Sequence, residues 1–158
     1  MNVGAELAAL FERDLTRLAQ EVHAFPSTEA LWKTAPGVQN SAGNLVLHLE
    51  GNLREYIGRQ IGGLAYVRQR RQEFSQTGLA AAEFIARIEP LQQTIPAILA
   101  GLSSEDLARI YPQDVLGKPL STSQFLIHLH GHFNYHLGQI DYLRRMLTQG
   151  LPVDFVQL

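Results

Sequence analysis

The sequence predicts an all-α protein, a four-helix bundle with short extra turns in its connections. Apolar residues recur at steps of three and four through most of the 158 residues, the spacing that places one stripe along a helix. Prolines, glycines and N-cap residues divide this pattern into four long segments with modest connections, which is how a bundle is organised. The length predicts a single domain over residues 1–158, long enough to bury a core without staples.

The first helix carries Leu7, Leu10, Phe11, Leu15, Leu18 and Val22 on one stripe and ends before Pro26, a residue that cannot continue a helix. A helical turn over 29–33 follows, capped by Ser27 or Thr28, and then a loop over 34–37. Ser41 is the expected N-cap of the second helix, which runs from about 42 to 59 and stops at Gly62-Gly63. The polar stretch 68–76 reads as a connection. Thr77 is the expected cap of the third helix, which passes through Leu79, Phe84, Ile85 and Ile88 towards Ile98 and Leu99. Pro90 and Pro96 predict a kink or break within it. Gly101 ends it, and Ser103-Ser104-Glu105-Asp106 begin a further turn. Pro112, Gly117 and Pro119 predict turn or short extended structure over 111–120. The fourth helix starts at Ser121 or Thr122, continues to about Gln149, and is ended by Gly150 and Pro152.

Composition excludes several chemistries. The chain has no cysteine, which removes disulfide scaffolds, Cys-ligated zinc, iron–sulfur clusters and thiol nucleophiles together. Any metal must be held by His, Asp or Glu. A net charge of -2 argues against nucleic acid, whose binders show a basic face. No apolar run reaches the roughly 18 residues of a membrane span, and no basic patch followed by an apolar core marks a signal peptide. A cytoplasmic protein is expected. No Gly-rich phosphate loop, GxSxG elbow or paired-carboxylate spacing is present.

The histidines carry the chemical signal. Of the six, His128, His130, His132 and His136 crowd into the fourth helix, while His23 has no evident partner. Positions four apart lie about 40° apart around a helix, so His132 and His136 share a face. The stripe of Phe125, Leu129, Ile140, Leu143 and Leu147 centres close to His136, with His132 at its edge. His130 is expected to point away into solvent, and His128 to lie on the flank. On the second helix His48 borders the apolar face of Leu45, Leu49, Leu53 and Tyr56, beside a polar column of Ser41, Asn52, Glu55 and Arg59. Asn52, one turn beyond His48, is placed to line the same cavity. A lone histidine on an apolar face is ordinarily a hydrogen-bonded core residue; three from two helices point to a metal. Neutral imidazole binds Zn, Ni, Fe(II) or Cu, and three protein ligands leave a position for water or substrate. The cluster Arg68, Arg70 and Arg71 is expected to be a solvated loop, with binding of a thiol's carboxylate as its functional alternative. Asp141 and Glu50 read as surface charges, and Tyr135 and Tyr142 as packing.

The segment from His128 to Ile140, with its two histidines four apart followed by a residue and Gly-Gln, resembles the last helix of the DinB/YfiT-like superfamily. The helix start Ser41-Ala-Gly-Asn-Leu-Val-Leu-His48 is similar to the family's first ligand segment, and Arg68 to Phe74 to an Arg-rich stretch ending in Glu-Phe. The resemblance implies an up-down-down-up four-helix bundle, often dimeric, with a divalent metal (Zn, Ni, Fe or Mn) held by His48, His132 and His136. It also implies a metal-dependent enzyme, with transfer of low-molecular-weight thiols as the leading activity. Hydrolysis on the same fold, or a non-catalytic stress-linked dimeric bundle, are the alternatives. Small-molecule substrates, a homodimer, and neither nucleic acid nor membrane as partners are expected. Leu137 stands where many members carry Arg.

Overall fold

A computed structural model describes residues 3–153. It is helical: α1 (Val3–His23), α2 (Thr28–Trp32), α3 (Ala42–Leu53), α4 (Arg70–Ser75), α5 (Ala81–Ala100), α6 (Ser104–Ala108) and α7 (Thr122–Thr148). The only β-bridge among the described residues joins Ile110 to Ser121, at the two ends of the stretch expected to be turn or short extended structure.

Side-chain pairings fix the helix directions. Asp14 meets His130 and Glu21 meets Arg144, so α1 and α7 run parallel. His48 meets His132, and Tyr56 meets Phe125, so α7 runs antiparallel to α3. Glu50 pairs with Arg87, and Gly62 lies against Ile98, so α5 runs parallel to α3. The four long helices therefore form an up-down-down-up bundle. Two parallel neighbours in sequence need a crossover, and residues 60–80, with α4, supply it. α1 packs most extensively on α5. The core between them and α3 and α7 includes Phe11, Leu15, Leu18, Phe84, Ile88, Ile95, Phe125 and Phe133.

The caps are local chemistry. Ser41 and Asn44 form a reciprocal capping box at α3, as Ser121 and Gln124 do at α7. Thr77 does not cap α5: Gly78 takes φ +88°, and the helix begins after Ala80, whose N–H donates to Glu83 Oε2 at 2.7 Å. α5 also runs unbroken through Pro90 and Pro96. Pro90 is exposed, so the carbonyl it deprives of a partner, that of Ala86, lies on the water-facing side. Burial of Phe84, Ile88, Leu91, Ile95 and Leu99 holds the opposite face in register. At the end of α7 the left-handed residue is Gln149, not Gly150; Gly150 is needed because a Cβ there would meet the Arg144 guanidinium at 2.8 Å.

The second helix changes pitch. After Leu53 it continues as a π-helical segment, Arg54–Arg59. Such wide turns leave carbonyls off the regular ladder, and the Tyr56 carbonyl accepts from the Tyr111 hydroxyl at 2.7 Å. Tyr111 stacks on Phe125 with centroids 3.8 Å apart, which anchors the 110–120 loop near the open end of the α3–α7 seam.

Candidate metal centre

α3 is buried along its whole length, so His48 does not border an exposed face; it sits inside the seam against α7. On α7 the core stripe centres on Phe133 and Leu137, both absent from the stripe read in the sequence. His132 and His136 therefore lie at the edge of the apolar surface, half-buried, where solvent can reach them. The structure brings all three histidines together. One ring nitrogen from each lies within 4.8 Å of the others, with His132 Nε2 3.2 Å from His136 Nε2 and 3.4 Å from His48 Nε2.

The opposite nitrogens are committed elsewhere. His48 Nδ1 lies 2.9 Å from Glu73 Oε2, and an ionised carboxylate only accepts, so Nδ1 carries the proton. His136 Nδ1 lies 2.7 Å from the side-chain oxygen Oε1 of Gln139 and donates likewise. Both rings thus turn an Nε2 lone pair towards His132. Asn52 sets its side-chain nitrogen 3.2 Å from His48 Nε2 and 3.4 Å from His132 Nδ1, which is the cavity-lining position expected for it.

Glu73 is the site residue that sequence reasoning missed, and Arg68 serves it rather than standing in a solvated loop. Arg68 grips the carboxylate with two bonds, Nε to Oε1 at 2.6 Å and a terminal nitrogen to Oε2 at 2.8 Å. The segment expected to be a polar connection is a short helix tied down by Asn44, whose side chain donates to the Glu73 carbonyl at 3.1 Å and to the Gln76 carbonyl at 3.3 Å. The one signal available was the Glu-Phe ending of the Arg-rich stretch. Arg68 is not part of a solvated cluster, whereas Arg70 is exposed and lies over the Phe74 ring.

Electrostatics favour neutral His132 and His136 beside an ionised carboxylate. Burial, reinforced by the neighbouring His136 and His48, pushes His132 down to about 4. Burial also lowers His136, although its bond to Gln139 opposes this. Burial pushes the Glu73 carboxyl up, but hydrogen bonds from Arg68 and His48 and the Arg68 charge outweigh it and hold the group below its usual range.

The remaining candidates fall elsewhere. His130 does not face solvent: its Nε2 lies 2.8 Å from the buried Asp14, which also accepts from Asn134 at 2.6 Å. His128 is exposed and lines a cavity beside His132. His23 is exposed. Glu50 and Asp141 are buried ion-pair partners rather than surface charges, the first of Arg54 and Arg87, the second of Arg144 and Arg145. Tyr135 and Tyr142 do not pack inside; both stand on the surface. Leu137 is buried in the core.

An up-down-down-up helical bundle with three converging histidines at the seam of its second and fourth long helices defines a protein of the DinB/YfiT-like superfamily. A family model described as mycothiol-S-transferase matches residues 6–149. The chain belongs to that family. Among solved structures it is similar to the crystal structure of a DinB-like protein from Bacillus cereus ATCC 10987, with a TM-score of 0.71, 18% identity and 94% of each chain covered. At that identity the likeness is one of fold. No curated protein matches the sequence. Among the described residues no helix is long and apolar enough to cross a membrane.

Proposed function

We propose that the protein is a divalent-metal-dependent S-transferase that joins a low-molecular-weight thiol to a small electrophile, with His48, His132 and His136 as the metal ligands. The observation that carries this reading is the convergence of three Nε2 atoms, two of them already deprived of their proton by Glu73 and Gln139. His48 Nε2 and His136 Nε2 are both acceptors 3.2–3.4 Å from His132 Nε2, which has at most one proton to offer the two of them, so the donor set fits a borderline divalent ion. Such an ion, when bound, supplies Lewis acidity that lowers the pKa of a coordinated thiol or water.

The chain's own residues prepare that chemistry. Glu73, clamped by Arg68, orients the His48 ring, and Gln139 does the same for His136. With Nε2 of His132 facing the ion, its Nδ1 bears the proton. Because the protein has no cysteine, the thiol must arrive from outside, which agrees with the family's description as a mycothiol transferase.

The test is metal content by mass spectrometry of untagged protein, for the parent and for His132→Ala. One ion per chain in the parent and its loss in the variant are expected. A metal-free parent after expression in metal-replete medium would refute the site. Metal-loaded protein is then assayed with mycothiol and an electrophile; turnover that survives His48→Ala unchanged would refute the catalytic reading even if metal binds.

A further inference from the structure

The three histidines stand between two cavities of similar size and unlike chemistry. One, about 520 Å³, has His136 and Gln139 in its wall together with Val38, Tyr135, Tyr142 and Met146, and no Asp, Glu, Lys or Arg lines it. The other, about 510 Å³, opens on His48 and His132 and is lined by Asn52, Arg70, Gln113, Asp114 and His128 among others. It continues past Tyr56, Arg70 and Gln113 into a further recess holding Arg59 and Arg68. Both volumes are in the range that takes a small ligand.

The first cavity has no explanation in the fold. Tyr135, Tyr142 and Met146 are 64%, 66% and 67% exposed, so they add little to the core, yet they gather around a ligand histidine. Tyr135 lies edge-on to the His136 ring with centroids 5.1 Å apart. Across from them the 36–40 loop turns at Gly37, φ +77°, and presents Val38, itself 40% exposed. Exposed aromatic and thioether groups around a concave, uncharged space suit a flat apolar molecule. The opposite cavity suits a polar, hydroxylated one: Arg70 and Asp114 both line it, together with amide and imidazole groups.

We propose that the metal centre divides two substrate subsites, the groove of Val38, Tyr135, Tyr142 and Met146 taking an apolar aromatic electrophile and the cleft of Asn52, Arg70, Gln113 and His128 taking the thiol. This assignment rests on the S-transferase reading. A second copy of the chain is a poorer occupant of the groove, because the space is concave and its wall contains His136, which a reacting molecule must reach. In the step so arranged, the sulfur of the thiolate bonds to the electrophilic carbon, the leaving group departs with the electrons of its bond, and the thiol proton goes to solvent. Approach from opposite sides places sulfur and carbon in contact at the histidines.

The experiment uses the metal-loaded full chain. Dinitrobenzene, an aromatic acceptor without a leaving group, is titrated in the absence of thiol while backbone amide shifts are followed. Saturable shifts at Val38, Gln39, Tyr135, Gln139 and Tyr142 are expected, with Kd raised about tenfold by Tyr142→Ser, the loss of one aromatic contact. In turnover of chlorodinitrobenzene with mycothiol, where chloride leaves, Tyr142→Ser is expected to raise KM for the aromatic and not for mycothiol, and Arg70→Gln to do the reverse. Shifts confined to the Tyr56, Gln113 and Val115 side, absence of saturable binding, or an unchanged Kd in Tyr142→Ser would overturn the assignment. So would sedimentation showing that Tyr142→Ser splits a dimer while dinitrobenzene leaves the parent unshifted, since the groove is then an interface. Groove binding without turnover of any thiol would leave the aromatic subsite standing and refute the transferase reading alone.

Discussion

Gly51 lies three residues beyond His48, and a Cβ there would strike the Glu73 carboxylate. That close approach lets a carboxylate on a separate short helix reach the back of the His48 ring. Gly51→Ala is therefore expected to push Glu73 off Nδ1 while gaining about 1 kcal/mol of helix propensity. Metal affinity should fall by about 10- to 100-fold, the usual effect of losing the group behind a ligand histidine, without loss of thermal stability in the metal-free protein. Glu73→Gln tests the same contact from the other side. A competition titration against a chelator measures both, and an affinity equal to the parent's would show that Glu73 does not orient the ligand. The three converging histidines were legible in the sequence because residue type and, for His132 and His136, a four-residue step on one helix are local signals. Glu73 was not, because its partner is 25 positions away and its own segment has no apolar period to announce a buried position. Tyr135 and Tyr142 misled for the opposite reason: aromatic side chains read as core unless the fold shows what stands opposite them.

Between elements, the least expected contact joins α1 to α7. Asp14 is fully buried and accepts from His130, Asn134, Arg13 and Arg17. Burial raises its pKa, but the hydrogen bonds from His130, Arg13 and Asn134 and the Arg13 charge prevail and hold the carboxyl well below the usual range. A carboxyl depressed in the folded state contributes its stability above the unfolded pKa of about 3.9. That stability is lost as pH falls through the folded value. Asp14→Ala is expected to cost about 3 kcal/mol at neutral pH, the penalty for breaking a buried charged contact. Its stability should also fall less steeply than the parent's between pH 5 and pH 2 by this same linkage, an acid limb of about that span. Urea denaturation across that range measures both, and parallel pH curves would show that Asp14 is not the source. At this scale the apolar periods located α1, α3 and α7 closely. Pro90 and Pro96 misdirected the reading of α5 because tertiary packing of its buried face outweighs two lost helix bonds, one of them on the exposed side. The π-helical turn left no mark in the pattern, since Tyr56 and Ile57 serve a wide turn as well as a regular one.

For the whole molecule, the bundle is built asymmetrically around its site. The α1–α5 pair carries the most extensive packing, whereas the α3–α7 seam gives up apolar contact to three imidazoles, an amide and, behind them, a carboxylate. That seam is also antiparallel and joins residues 84 positions apart, so an ion bound, as proposed, by His48 from one side and His132 and His136 from the other would tie together two helices far apart in the chain. A ligand that binds only the folded state stabilises it by about 2.7 kcal/mol at a free concentration one hundred times its Kd. For a chain of this size each kcal/mol moves the midpoint by about 2–4 °C. The metal-loaded protein is therefore expected to melt roughly 5–10 °C above the chelated one. In His136→Ala the same chelator should change the midpoint far less, because two imidazoles hold the ion weakly. Scanning calorimetry of both proteins, with and without chelator, separates the contributions. Equal midpoints for loaded and stripped parent would mean that the ion does not bridge the seam, whereas an equal loss in parent and variant would place the bound metal elsewhere.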